Sequence, residues 1–210
     1  KENYFYLPLQ TKGLTNLYES FELYFQPDDC EYNYEGKQTN ANHWYSISKW
    51  PDYLVIQLQR WDYKIETMER PKLFHEFQFP VELKGSDIHC HFEQQKIDSD
   101  YTLTGVVIHR GTADQGHYHA IVVGEDNEWY SCDDETIAYF DINRLDEYAF
   151  GKQNESNELQ TPEDVDTGYL LFYKKVVDGT VHSPIFDTSD CHLPSELEQT
   201  INTDNTVHWP

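Results

Sequence analysis

GHYHAIVVGEDNEWYSCDDE, residues 116–135, reads as two strands joined by a short turn. HYHAIVVG (117–124) is rich in β-branched and aromatic residues, GEDNE (124–128) carries turn chemistry, and the strand at 128–132 leads into Asp133 and Asp134. A hairpin with so short a turn sets a residue early in its first strand against one late in its second. His117 is therefore expected beside Asp133. An imidazole next to a carboxylate is the base-plus-orienter half of a nucleophilic triad: the carboxylate fixes the tautomer and stabilises the imidazolium, and the imidazole deprotonates a nucleophile. Gly116 permits a tight turn and leaves the approach to the ring uncrowded.

Further strands are expected at 4–9, 43–49, 53–60 (YLVIQLQR), 72–79, 101–109 (YTLTGVVIH) and 169–176, with turn residues such as Pro51, Pro80, Gly85 and Gly111 between them. Apolar residues at Leu14, Leu17, Tyr18, Phe21, Tyr24 and Phe25 have helical spacing, so 14–25 is expected to be a helix capped near Thr15 or Asn16 and ended by Pro27. Residues 27–42 read as polar and turn-rich, 142–149 as a second short helix, and 151–168 as a polar loop. The class is α+β with a mostly antiparallel sheet. No Lys or Arg follows Lys175, so the chain divides into a folded part, 1–176, and an acidic, flexible tail or linker, 177–210.

The 210 residues carry 38 acidic and 15 basic side chains, a formal net charge of -23. That balance argues against nucleic acid and against an anionic membrane surface as partners, since both need Lys and Arg. A basic protein partner fits it, with Asp114, Glu125 and Asp126 as candidates to carry the complementarity. Aromatic residues make up 15%, too many for a disordered acidic chain. No apolar run is long enough to span a membrane, and the N-terminus has no signal-peptide pattern. The only Met is Met68, so the sequence reads as a fragment, a processed product or an excised piece. Cys30, Cys90, Cys132 and Cys191 form no CxxC pair and read as free thiols of an intracellular protein, cytoplasmic or nuclear.

YLVIQLQRWDY (53–63), FQFP (77–80), YTLTGVVIHRG (101–111), GHYHA (116–120), WYSCDDE (129–135) and GYLLFYKK (168–175) occur in this order. Together, over roughly residues 40–176, they resemble the ubiquitin-specific proteases, cysteine deubiquitinases that remove ubiquitin from proteins. The resemblance implies a papain-like palm-and-fingers fold of which this chain is the C-terminal part, the cysteine-bearing N-terminal half lying outside it. It implies ubiquitin and ubiquitinated proteins as partners, no cofactor, and thiol-dependent hydrolysis of the bond after ubiquitin's terminal glycine. His117 matches the family's catalytic histidine, Asp133 its third triad residue, and Asp134 the acidic neighbour often found there. Loop 110–116 matches a blocking loop over ubiquitin's tail, and loop 84–100 stands in the place of another.

Two features depart from the family. Nothing matches its GLxNxGxTCYxNS cysteine box, and none of the four cysteines is a good substitute. Cys30 lies among Asp28, Asp29 and Glu31, whose charge suppresses a thiolate. Cys132 should face away from its neighbour Asp133, Cys191 lies in the tail, and Cys90 sits in a loop between His89 and His91. The chain alone is therefore expected to be inactive. The region matching the family's zinc ribbon holds only Cys30, so no structural zinc is expected. Other readings keep His117 as a surface histidine, Asp133 and Asp134 as turn residues, Trp129, Tyr169, Phe172 and Tyr173 as core, and His109, His117 and His119 as part of a metal-dependent hydrolase. A non-catalytic ubiquitin-binding fragment or pseudoenzyme is the alternative function.

Overall fold

A computed structural model describes residues 3–90, 97, 99–152 and 165–177. Of the polar loop expected at 151–168, residues 153–164 lie outside the described residues, as does the tail over 178–210. The main sheet runs in the order β1 (Leu7–Gln10), β4 (Tyr53–Gln59), β10 (Thr167–Lys175), β6 (Tyr101–Gly111), β7 (Gly116–Val123), β8 (Trp129–Asp133) and β9 (Thr136–Tyr139). The short β5 (Glu82–Leu83) pairs with β6. All pairings are antiparallel except β1 with β4. The α+β class with a mostly antiparallel sheet therefore stands.

The core lies on one face of this sheet. Leu54, Ile56 and Leu58 alternate inward from β4, Leu171 and Tyr173 from β10, and Val106, Ile108 and Ile121 from β6 and β7, all at most 1% exposed. The helix α1 (Leu17–Phe25) adds Leu17, Phe21 and Phe25, with the two phenyl rings stacked 6.3 Å apart. The helix is shorter than its apolar spacing suggested because Asn16 caps it: the Asn16 side chain accepts from the Glu19 N–H at 3.0 Å. The Glu19 carboxylate accepts in return from the Thr15 N–H and hydroxyl at 2.7 and 2.8 Å, which holds the carboxyl below its usual range.

Residues 27–42, read as polar and turn-rich, instead form a separate hairpin, β2 (Asp28–Tyr34) and β3 (Lys37–His43), whose strands pair, among the described residues, with each other alone. Its turn carries Glu35 and Gly36 at positive φ, and cross-strand pairing sustains polar side chains in strands that buried patterning did not announce. The strand expected at 72–79 is reduced to isolated bridges from Lys72, His75 and Gln78. Beyond β9, a short 3-10 turn over Ile142–Arg144 and the helix α2 (Leu145–Ala149) occupy the place of the expected second helix. Among the aromatic residues read as core, Tyr173 is fully buried, whereas Phe172 is 38% exposed on the opposite face.

Two bulges set which side chain faces which way. Between β6 and β10, Phe172 pairs with Gly105 and Tyr173 with Leu103, so Thr104 is the extra residue on β6; Gly168 pairs with Ile108 and Leu170 with Val107, so Tyr169 is the extra residue on β10. The first bulge changes the parity of β6. Its inward residues pass from Tyr101 and Leu103 to Val106 and Ile108, and Arg110 falls on the inward face at the strand's end while His109 falls on the other.

Leu58→Ala should cost about 2–5 kcal/mol, the range for a fully buried leucine, and shift the urea midpoint accordingly. Phe172→Ala should cost well under that. Equal losses at the two positions would contradict the assignment of the core face.

Candidate active site

Antiparallel register brings the candidate residues together. Arg110 pairs with His117 across β6 and β7, and Ala120 pairs with Cys132 across β7 and β8. Continued by one step, the second register sets His119 opposite Asp133, so His117 meets Asp133 diagonally and not directly across, a spacing long side chains bridge. His117 Nε2 hydrogen-bonds the Asp133 carboxylate. The ring's Nδ1 has no hydrogen-bond partner among the described residues. The His119 ring lies 6.4 Å from that of His117 on the same face, nearly parallel at 18°.

The pair is open to solvent, with side chains 47% and 52% exposed. The hydrogen bond it donates to Asp133 raises the His117 pKa above its ordinary value, helped by the charges of Asp133 and Asp134 and opposed by slight desolvation and by Arg110. The same bond lowers the Asp133 pKa. Asp134 makes the two-residue turn with Glu135 between the paired Asp133 and Thr136, and sits in the left-handed region at φ 50. Asp tolerates that conformation, so Asp134 serves as a turn residue as well as a nearby negative charge.

Gly116 is required for a reason other than turn geometry. A Cβ there would run into the Arg110 carbonyl and the His109 ring, so glycine allows β7 to start close against β6 and aims His117. The turn between β7 and β8 is closed by Gly124 N–H donating to the Glu128 carbonyl at 2.8 Å, with Asn127 at φ 63. Asp126, a candidate for partner complementarity, accepts from the Glu128 N–H and the Tyr130 hydroxyl within that turn.

On the opposite face of the same strands lies a cavity of about 220 Å³ lined by Trp61, Arg70, Lys72, His109, Tyr118 and Tyr169, among others. The His109 and Tyr118 rings lie 4.6 Å apart. Lys72, 8% exposed, donates to the carbonyls of His109 and Val165 at 2.8 and 3.2 Å; burial, with Arg60 nearby, pulls its pKa down to about 8. Burial also lowers the His109 pKa. Arg60, 3% exposed, donates to the carbonyls of His75 and Phe150 at 2.7 and 3.1 Å and so ties together the segments that carry them. Neither Arg60 nor Lys72 was singled out from sequence, where a basic residue beside a strand reads as solvated.

The three histidines considered for metal do not converge, because His109 faces the cavity and His117 and His119 the other side. Among the described residues, the group able to offer ligand atoms within 4.8 Å of one another is His117, Asp133 and Asp134, all exposed. The described cysteines do not join the dyad. Cys30 is on the separate hairpin, and Cys132 points away from Asp133, toward Ala120 and Ile137 on neighbouring strands. Cys90 is half-buried, which raises its thiol pKa; Cys191 and His91 lie outside the described residues.

Comparison with known proteins bears on the family and the fold. The family model for ubiquitin carboxyl-terminal hydrolase matches residues 11–173. Ubiquitin carboxyl-terminal hydrolase 5 of Schizosaccharomyces pombe is 28% identical over 156 residues, covering 71% of this chain and 14% of that protein. Ubiquitin carboxyl-terminal hydrolase 4 of Arabidopsis thaliana is 31% identical over 131 residues, covering 62% of this chain and 33% of that one. The chain thus spans a minor part of these relatives. Among solved structures, the SAGA Ubp8/Sgf11/Sus1/Sgf73 DUB module bound to ubiquitin aldehyde shares the fold with a TM-score of 0.65 at 23% identity, over 83% of this chain and 36% of that one. With its family model matched over residues 11–173, most of the described sheet, the chain belongs to the ubiquitin carboxyl-terminal hydrolase family, as the resemblance to ubiquitin-specific proteases implied.

Proposed function

We propose that this chain supplies the histidine and aspartate of a thiol-dependent ubiquitin hydrolase, acting with a cysteine contributed by the parent protein outside these 210 residues. The observation that carries the reading is the His117–Asp133 hydrogen bond through Nε2, which leaves Nδ1 to face a thiol. His117 takes the thiol proton at Nδ1 as the sulfur attacks the isopeptide carbonyl after ubiquitin's last glycine. The tetrahedral intermediate collapses with the C–N bond breaking, and the imidazolium returns the proton to the leaving lysine amine. Water then attacks the thioester, again losing its proton to His117, and the carboxylate product and free thiol separate. Asp133 holds the ring and stabilises the imidazolium at each charged stage. Asp134 adds negative charge and shapes the turn. No step needs a cofactor, and the setting proposed is intracellular.

In the full-length protein, His117→Ala should lower hydrolysis of a ubiquitin–lysine isopeptide by about 10²–10⁴-fold while ubiquitin binding persists. Asp133→Ala should cost less than His117→Ala, and Asp134→Gly less again, because glycine keeps the turn. Unchanged turnover in the His117 variant would overturn the assigned base. Binding without turnover in the unmodified full-length protein would instead identify an interaction module, and loss of turnover with a chelator a metal enzyme.

The 210-residue chain alone should stay unlabelled by a ubiquitin probe that alkylates thiols; labelling at Cys30 or Cys90 would show the nucleophile to be internal. The His117 imidazole, followed by NMR, should titrate above the usual value of about 6.5, and Asp133→Asn should bring it down by removing the charge that favours the protonated form. A midpoint unmoved by that substitution would contradict the pairing.

A further inference from the structure

β9 ends the main sheet, and among the described residues no strand pairs beyond it. The two edges of the sheet differ. At β1 the Gln10 carbonyl is taken by the Ser20 hydroxyl of α1. β9, with the sequence TIAY, has none of the devices that keep an edge from pairing: no Lys, no Pro, no charge, and no bulge in its ladder with β8. Its four residues are exposed, Ile137 by 58% and Tyr139 by 76%.

Register decides which backbone groups are open. The Phe140 N–H donates to the Trp129 carbonyl at 2.8 Å, so these two residues form a hydrogen-bonded pair. Bonded and non-bonded pairs alternate along an antiparallel ladder. Ala138 with Ser131 and Thr136 with Asp133 are then bonded pairs, whereas Tyr139 with Tyr130 and Ile137 with Cys132 are not. The N–H and C=O groups of Ile137 and Tyr139 therefore point away from β8, along the open edge. The side chains of the same two residues extend rows on the face opposite His117. Ile137 follows Ala120 and Cys132, and Tyr139 follows Val122 and Tyr130, with the two tyrosine rings 4.9 Å apart. A strand laid beside β9 gains main-chain bonds from these residues and an apolar neighbour for every second side chain.

The charge around the edge selects the strand. Residues 111–143 hold eight Asp or Glu and no Lys or Arg. Asp134 and Glu135 stand at one end of β9 and Asp141 just beyond the other. Arg144, next along the chain, is engaged by Glu147 at 2.7 Å. A second copy of the chain is a poor occupant, because pairing Ile137 with the copy's Tyr139 sets Glu135 opposite its Asp141, and like charges directly opposite repel.

We propose that β9 is a docking edge for an extended basic segment of a partner protein. The segment adds to the sheet antiparallel to β9, with apolar residues opposite Ile137 and Tyr139 and lysine or arginine opposite Glu135 and Asp141. It uses no group of the His117–Asp133 pair, so docking stands apart from the proposed catalysis.

The test is binding of a fluorescein-labelled peptide, Lys-Lys-Val-Thr-Val-Thr-Lys-Lys, to the full-length protein. Antiparallel to β9, its valines fall opposite Tyr139 and Ile137, its first lysine opposite Asp141 and the lysine after the last threonine opposite Glu135. Binding should weaken as salt rises. N-methylation of the two valines removes the N–H groups aimed at β9 and should weaken binding by about tenfold or more. N-methylation of the two threonines, whose N–H groups face solvent, should cost less than about threefold. In the protein, Ile137→Pro removes an outward N–H while leaving the ladder to β8 and should weaken binding by about tenfold, whereas Ile137→Thr should cost less than about threefold. The methylated peptides put the same question to the unaltered protein, whatever the proline does to the strand. Hydrogen exchange at the Ile137 and Tyr139 amides should slow when the peptide binds. No binding would overturn the proposal, and equal weakening by the two methylation patterns would reduce it to charge attraction and overturn it too. So would a dimer that Ile137→Pro dissolves, which would make a second copy the occupant. Amides of Ile137 and Tyr139 already protected in the free full-length protein would give the edge to the parent's own chain and contradict it equally.

Discussion

The hydrogen bond between His117 and Asp133 depends on the register of three strands. β7 must start against β6 where Gly116 allows it to, and β8 must end where Asp133 can reach back two residues along β7. A slip of one residue in either ladder would turn one partner to the other face. The buried side chains of Ile108 and Ile121 fix that register from the core side, and the closed turn at Gly124–Glu128 fixes it from the loop side. The apolar core thus does more than stabilise the sheet: it determines which face carries the imidazole.

The same strands divide two kinds of chemistry between two faces. The inward face, at its open end, carries His117, His119, Asp133 and Arg110, all accessible to protons. The outward face carries His109, Tyr118 and Tyr169 around a cavity whose floor includes the buried Lys72. The bulge at Thr104 makes the division possible, because without the extra residue His109 and Arg110 would exchange faces. A proton-transfer pair is thereby kept apart from the lysine and arginines that line the cavity, whose charges would hold the imidazole neutral.

Much of this was legible in the chain. The strands of the main sheet follow from runs such as YLVIQLQ and YTLTGVVIH, and the hairpin that pairs His117 with Asp133 follows from GEDNE between two β-rich runs. What was not legible has physical causes. β2 and β3 are mostly polar and fully bury no side chain, so Cys30, Tyr32 and Tyr34 alternate without a core face to read them against. β9 is four exposed residues that pair, among the described residues, with β8 alone. The bulges at Thr104 and Tyr169 add one residue each beside Gly105 and Gly168, and a glycine in a strand marks a bulge no more specifically than a weak point or a turn. The Arg110–Asp166 contact joins residues 56 apart in sequence through a register that only the folded sheet defines.

The central claim is that His117, oriented by Asp133, activates a thiol. The most direct measurement is the pH dependence of alkylation of the nucleophilic cysteine in the full-length protein, compared with its His117→Ala form. The account predicts a thiolate already formed well below the ordinary thiol pKa of about 8.5 in the unmodified protein, and a return toward that value when the imidazole is removed. A cysteine whose alkylation profile is the same with and without His117 would contradict it.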